Sequence, residues 1–78
     1  MNRIETKIII MVTNQLAPAK ESDTKTEMIE EVSENLYQRY LELAGQGMPE
    51  DEALERAMET LGDVGELLTF LRESEEEG

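Results

Sequence analysis

Apolar residues recur every three or four positions through most of this chain, which is the spacing of amphipathic helices. The clearest case runs from about Thr24 to Ala44. At roughly 100° per residue, its main apolar positions fall within about 80° of one another, opposite a run of glutamates. The apolar set is Ile29, Val32, Leu36, Tyr40 and Leu43, and the acidic set is Glu27, Glu30, Glu31 and Glu34. This pattern predicts a long helix with one apolar face and one acidic face.

Capping signals mark both ends of this long helix. Thr24 and Glu27 have the spacing of a capping box, in which each side chain binds a free backbone amide of the first turn. The sequence is also compatible with a helix that begins nearer Pro18. Gly45 and Gly47 are expected to end the helix, because glycine readily adopts the left-handed conformation found at helix C-termini.

Two shorter helices are predicted after this glycine turn. Pro49 suits the first position of a helix, and the acidic residues 50–52 favour the positive end of its dipole. Gly62 separates this helix from the next, which Asp63 and Glu66 are expected to begin with a second capping box. The apolar stripes are Leu54, Ala57, Met58 and Leu61 in one helix and Val64, Leu67, Leu68 and Leu71 in the other.

The first segment, from about Arg3 to Gln15, is ambiguous because residues 8–12 form an apolar run that would also suit a buried strand. A single strand would have no partner among three helices, so we predict a helix. Its shared face contains Ile4, Ile8, Met11 and Val12, with Ile9 and Leu16 at the edge. The predicted fold is therefore an all-α four-helix domain with a short first helix, a long amphipathic second helix and a C-terminal helical hairpin. The domain spans 1–72, and 73–78 is predicted to be a disordered acidic tail.

The net charge of the chain limits the classes of partner that we expect it to bind. The 78 residues include 7 basic and 19 acidic side chains, for a net charge of −12, and residues 28–78 carry all of that excess. A surface of this kind repels both nucleic acid and anionic lipid headgroups. We therefore expect no nucleic-acid partner and no direct contact of this segment with the membrane. The longest apolar run has five residues, far short of the roughly 20 that a membrane-spanning helix needs.

The missing residue types argue against catalysis. The chain has no Cys and no His, so it lacks a thiol nucleophile, the usual general base near neutral pH and the commonest zinc ligands. A domain this small has little volume for a catalytic cleft. We predict a protein that is not an enzyme and has no cofactor or metal site.

Three other binding functions fit the residues poorly. An acyl carrier needs a serine at the start of a long helix, typically in an Asp-Ser-Leu context, and none of Ser22, Ser33 and Ser74 has that context. The acidic residues 50–52 lack the spacing of a calcium-binding loop. Mimicry of nucleic acid by the acidic face rests on charge alone, which is weak evidence for a specific partner.

Four apolar residues lie off the predicted core stripes. They are Ile10, Tyr37, Leu41 and Phe70. Leu41 lies among the acidic positions of the long helix, and Tyr37 is its neighbour one turn earlier. A small bundle can bury such residues, but where two or more stay exposed together they form a contact patch. We predict that these residues form the interface with a protein partner or with a second copy in a homodimer.

The C-terminal half carries a pattern found in a bacterial family. Residues 47–54 (GMPEDEAL) and 61–68 (LGDVGELL) resemble the end of permease prefix domains, which are related to HAAS-type domains. Pro18 fits the first loop of those domains, and residues 37–41 (YQRYL) fit the end of their long helix. The resemblance covers residues 3–72. Pro49 stands where the family has Ser or Thr, and Gly65 replaces a better helix former.

The resemblance implies a setting and no catalytic residues. Such domains usually lie at the cytoplasmic N-terminus of multi-pass permease-like proteins or beside transporter and sensor systems. We therefore expect a non-enzymatic interaction or regulatory module, in the cytoplasm or on the cytoplasmic face of an inner-membrane protein. The alternative is a freestanding small acidic regulator that binds a basic protein partner.

Overall fold

The chain forms four α-helices, which confirms the predicted all-α class. A computed structural model describes the backbone of residues 2–77 and the side chains of residues 2–73. The helices are α1 (Arg3–Gln15), α2 (Asp23–Gly45), α3 (Glu50–Glu59) and α4 (Val64–Glu77). Within the described residues there is no strand, so the ambiguous first segment is a helix with the predicted bounds.

The first helix begins at a capping box that we did not predict. Asn2 Oδ1 accepts a hydrogen bond from the Glu5 amide at 2.9 Å, and Glu5 Oε1 accepts one from the Asn2 amide at 3.5 Å. These two bonds use backbone N–H groups that have no partner within the helix.

The second helix begins one residue before the predicted start, and its cap lies two residues before the predicted cap. Ser22 is extended, with φ −164° and ψ 164°, and its Oγ accepts a hydrogen bond from the Lys25 amide at 3.1 Å. The cap is therefore Ser22 and not Thr24, which lies inside the first turn. This earlier start places Asp23 in the first turn of α2, where its negative charge interacts favourably with the positive end of the helix dipole.

Glycine ends α2 as predicted, but only one of the two candidates does so. Gly45 belongs to the helix, whereas Gly47 has a φ of +95°. The Gly47 amide donates to the Ala44 carbonyl at 3.0 Å, and the Met48 amide donates to the Leu43 carbonyl at 3.2 Å. This pair of bonds is a Schellman motif, which satisfies carbonyls of the last turn.

The turns around α3 and α4 follow the predicted residues closely. Pro49 is the N-cap of α3, whereas we predicted it at the first position inside the helix. The acidic residues 50–52 form the first turn of α3. Gly62, with a φ of +75°, separates the two helices. Asp63 Oδ1 accepts from the Gly65 amide at 2.8 Å, so Asp63 caps α4 through the second residue of the helix.

The last helix extends past the predicted end of the folded domain. We predicted a domain over 1–72 and a disordered acidic tail over 73–78, whereas α4 continues to Glu77. The side chains of residues 74–77, and Gly78 as a whole, lie outside the described residues. The disorder of the tail therefore stays a prediction.

α1 and α3 lie side by side on α2. Asn2, at the start of α1, donates a hydrogen bond to the Tyr37 hydroxyl near the end of α2, so these two helices are antiparallel. Arg3 pairs with Glu50 at 2.6 Å, so α1 and α3 begin at the same end of the domain. The domain measures 44 × 24 × 15 Å along its principal axes.

One cluster of buried side chains joins all four helices. Its buried members are Ile8, Val12, Leu16, Leu36, Leu54 and Leu71. Leu16, predicted at the edge of the apolar face, is the C-cap of α1 and is completely buried, and Ala19 of the following connection packs against the same cluster. Val64, Leu67 and Leu68 of α4 pack against this cluster, as their predicted stripe requires.

Candidate interaction surface

Three of the four residues predicted to form an interface are exposed. Ile10 is 54% exposed, Leu41 43% and Phe70 52%. Tyr37 is only half-buried and packs partly against the core. The four lie on three different helices, so the interface stays a prediction.

Tyr37 also has a structural role within the domain. Its hydroxyl accepts a hydrogen bond from Asn2 Nδ2 at 2.5 Å, which ties α2 to the start of α1. Its ring is stacked on that of Tyr40, with centroids 6.3 Å apart and an interplanar angle of 13°. A substitution at Tyr37 therefore changes both the domain and any surface that it presents.

The exposed residues line different parts of the surface. Phe70 lines a shallow groove along α4 with Asp63, Glu66 and Thr69. Tyr37 lines a deeper groove between α1 and α2. Leu41 follows Tyr37 by one helical turn, and Ile10 lies opposite the buried face of α1 because it is about 200° from Ile8 on the helical wheel.

The groove between α1 and α2 is lined by apolar and acidic side chains of both helices. It has a volume of about 490 Å³, within the usual range of about 300–1,000 Å³ for ligand pockets. Half-buried Ile9, Ile29 and Tyr37 provide its apolar walls. The described residues that line it also include Glu5, Glu30 and Glu34 and no basic side chain. The groove therefore combines apolar walls with an acidic rim. We define these residues, together with Ser33, as the α1–α2 groove.

Ser33 lies in this groove, between Ile29 and Tyr37 on α2. It is 6% exposed, and its Oγ has no hydrogen-bond partner among the described residues. A buried hydroxyl without a partner costs about 1–3 kcal/mol. The small side chain leaves a notch between two large ones in the i, i+4, i+8 row of the helix. Sequence reasoning missed this role, although a serine one turn from two large apolar residues was a usable signal.

Lys25 is the second buried polar residue, at 3% exposure. Its ammonium donates hydrogen bonds to the Ala19 carbonyl at 2.8 Å and to Glu21 Oε1 at 2.5 Å. The Glu21 side chain is 88% exposed, so the ion pair lies at the boundary between the core and solvent. These bonds tie the connection between α1 and α2 to the first turn of α2. We had assigned Lys25 no role beyond the first turn of the helix.

Among the residues that the structure describes, no three carboxylates or other ligating side chains come close enough to hold a metal ion. None of the described helices is long and apolar enough to cross a membrane. The α1–α2 groove itself provides apolar contact area and a negative electrostatic potential.

Comparison with protein-family models, with curated proteins and with solved structures finds no match for this chain. The relation to permease prefix domains therefore stays a resemblance, carried by residues 47–54 and 61–68. In the structure each segment contains the turn before a helix and the first residues of that helix. The helix is α3 for residues 47–54 and α4 for residues 61–68.

Proposed function

We propose that this chain is a non-enzymatic module that binds another protein. The observation that carries the proposal is the α1–α2 groove, an apolar surface that no other part of the described chain covers. Grooves with apolar walls are where proteins commonly bind segments of their partners. The exposed side chains of Leu41, Ile10 and Phe70 offer further apolar contact area on an otherwise charged surface.

The setting that we propose is the cytoplasmic N-terminal domain of a permease-like membrane protein. The resemblance of residues 47–54 and 61–68 to permease prefix domains supports it. In that setting the module lies on the cytoplasmic face of the membrane and regulates or assembles the attached protein. The absence of basic residues from the groove agrees with a site that does not bind anionic lipid.

Fractionation of source cells tests both parts of this proposal. An antibody to residues 21–73 is used on denaturing and native gels of the soluble and membrane fractions. We expect a band much larger than 9 kDa on the denaturing gel of the membrane fraction. A soluble band near 9 kDa would instead favour the freestanding acidic regulator.

The native gel tests whether the module binds a protein at all. We expect the antibody to detect a complex larger than the polypeptide itself, and chemical crosslinking should preserve that complex. A polypeptide that migrates as a monomer at cellular concentration, with no crosslinked product, would refute an interaction module. Leu41→Ser is the informative surface variant, because it removes an exposed apolar side chain without disturbing the hydrogen bond of Tyr37.

A further inference from the structure

Among the described residues, only those of α1 and α2 line one flank of this helix pair. On its other flank, α1 faces α3, where Lys7 and Met11 lie opposite Asp51 and Met58 across a surface groove. Ile9 points away from that contact, into the α1–α2 groove, and it lies outside the core cluster. The α1–α2 groove is therefore an apolar surface on the side of α1 that faces away from α3.

The row of residues along α2 gives the groove a length and a shape. Ile29, Ser33 and Tyr37 are spaced four residues apart, so the row extends for about 12 Å at 1.5 Å per residue. The small side chain of Ser33 lies between the large side chains of Ile29 and Tyr37. A partner helix with large apolar side chains at i, i+4 and i+7 extends for a similar length, and its central side chain lies over Ser33, the small residue of the row.

The rim of the groove carries one sign of charge. Glu5 lies on the α1 side, and Glu30 and Glu34 lie on the α2 side. None of the three takes part in an ion pair with a described side chain of the domain. Complementary charge on a partner would therefore come from Lys or Arg beside its apolar residues.

We propose that the α1–α2 groove binds a basic amphipathic helix of a partner protein. The apolar residues of that helix enter between Ile9 and the α2 row, and its Lys and Arg residues face the three glutamates. This inference rests on the proposed interaction function and names the chemistry of the partner. A second copy of the chain does not fit, because two such grooves facing each other would bring six glutamates together.

A designed peptide tests this assignment on the purified chain. The probe is a helical peptide of about 16 residues with Leu at i, i+4 and i+7 and Lys on both sides of that row. A control peptide has Glu in place of each Lys. Heteronuclear NMR titration should give a saturating shift for the basic peptide, centred on Ile9 and Ser33, and no saturation for the acidic one up to about 1 mM.

Two neighbouring isoleucines provide matched apolar variants. Ile9→Ser removes a side chain from the groove, whereas Ile10→Ser removes an exposed side chain from the opposite face of α1. We expect Ile9→Ser to weaken binding of the basic peptide about tenfold and Ile10→Ser to leave it within about twofold. Circular dichroism of both variants checks that helicity is retained.

Two pairs of glutamates on α2 provide matched charge variants. E30Q/E34Q and E27Q/E31Q each remove two carboxylates four residues apart and raise the net charge from −12 to −10. Only the first pair lines the groove. We expect it to weaken binding at least about threefold more than the second pair, and to reduce the sensitivity of binding to added salt.

The outcomes separate this inference from the proposed function. Equal effects of the two glutamate pairs, equal binding of the acidic peptide, or the absence of saturation with the basic peptide would each refute the groove assignment. Binding lost in Ile10→Ser but kept in Ile9→Ser would also refute it and place the contact on the other face of α1. The interaction function itself is refuted only by the monomeric native protein in cells.

Discussion

Replacing Lys25 by Ala is expected to destabilise the domain far more than replacing it by Met. Lys25 is 3% exposed, so its methylene stem is surrounded by protein. Alanine deletes three buried methylene groups, which are worth about 0.8 kcal/mol each, or about 2.4 kcal/mol together. Methionine retains a chain of similar length at the same position.

Both substitutions also remove the ammonium group and its two hydrogen bonds. The bond to the Ala19 carbonyl at 2.8 Å is lost, and so is the bond to Glu21 Oε1. This loss is partly offset, because a buried ammonium has given up several kcal/mol of hydration. We therefore expect Lys25→Met to change the free energy of unfolding by less than about 1.5 kcal/mol and Lys25→Ala to lower it by about 2–4 kcal/mol.

Urea and thermal unfolding followed by circular dichroism measure this difference. For a domain of this size, about 1 kcal/mol corresponds to a Tm shift of about 4–8 °C, so the two variants should differ in Tm by roughly 10–20 °C. Glu21→Gln is the control, because its side chain is 88% exposed and the amide retains an oxygen acceptor. We expect that control to cost less than about 1 kcal/mol.

Two results would refute this reasoning. Equal instability of the Met and Ala variants would mean that the ammonium, and not its stem, provides the stabilisation. Wild-type stability of Lys25→Ala would mean that the side chain is not buried. A change in urea m-value in either variant would indicate a change in the surface exposed on unfolding, and the comparison would then use Tm alone.

The same unfolding measurements check three further predictions. Ser22→Ala should cost about 1 kcal/mol and Thr24→Ala less than half of that; the reverse order would restore Thr24 as the cap. Gly47→Ala should cost about 1–2 kcal/mol at its positive φ, whereas Gly45→Ala should stabilise the helix by about 0.5–1 kcal/mol, and equal effects would contradict the Schellman turn. Ser33→Ala should raise stability by up to about 1–2 kcal/mol by removing an unpaired hydroxyl, and a loss of stability would indicate a bond to that hydroxyl.

Helix positions were largely predictable because they depend on local signals. α1 has the predicted bounds, from Arg3 to Gln15, although its apolar run also suited a buried strand. Gly47 and Gly62 end helices through conformations that other residues rarely adopt. The start of α2 was wrong by one residue and its cap by two, because Ser22 and Thr24 both suit that role and only the path of the connection from α1 decides between them.

The contacts of the buried polar residues were not predictable by the same means. On the helical wheel of α2, Lys25 lies within the arc of the core residues and Ser33 lies at its edge, but the wheel does not show which part of the chain covers either side chain. The connection after α1 folds back over Lys25 and supplies the Ala19 carbonyl. That arrangement depends on the length and path of residues 16–22, which no periodicity describes.

The candidate interface shows why exposure and function must be argued separately. Three predicted residues are exposed because their wheel positions lie off the core stripes, as periodicity alone requires. Exposure of single apolar residues is common and assigns no partner. The α1–α2 groove makes a stronger case, because Ile9, Ile29 and Tyr37 come from two helices and enclose one volume beside three carboxylates. A sequence pattern can place each of these side chains on its own helix. Only the antiparallel contact of α1 with α2 brings them together.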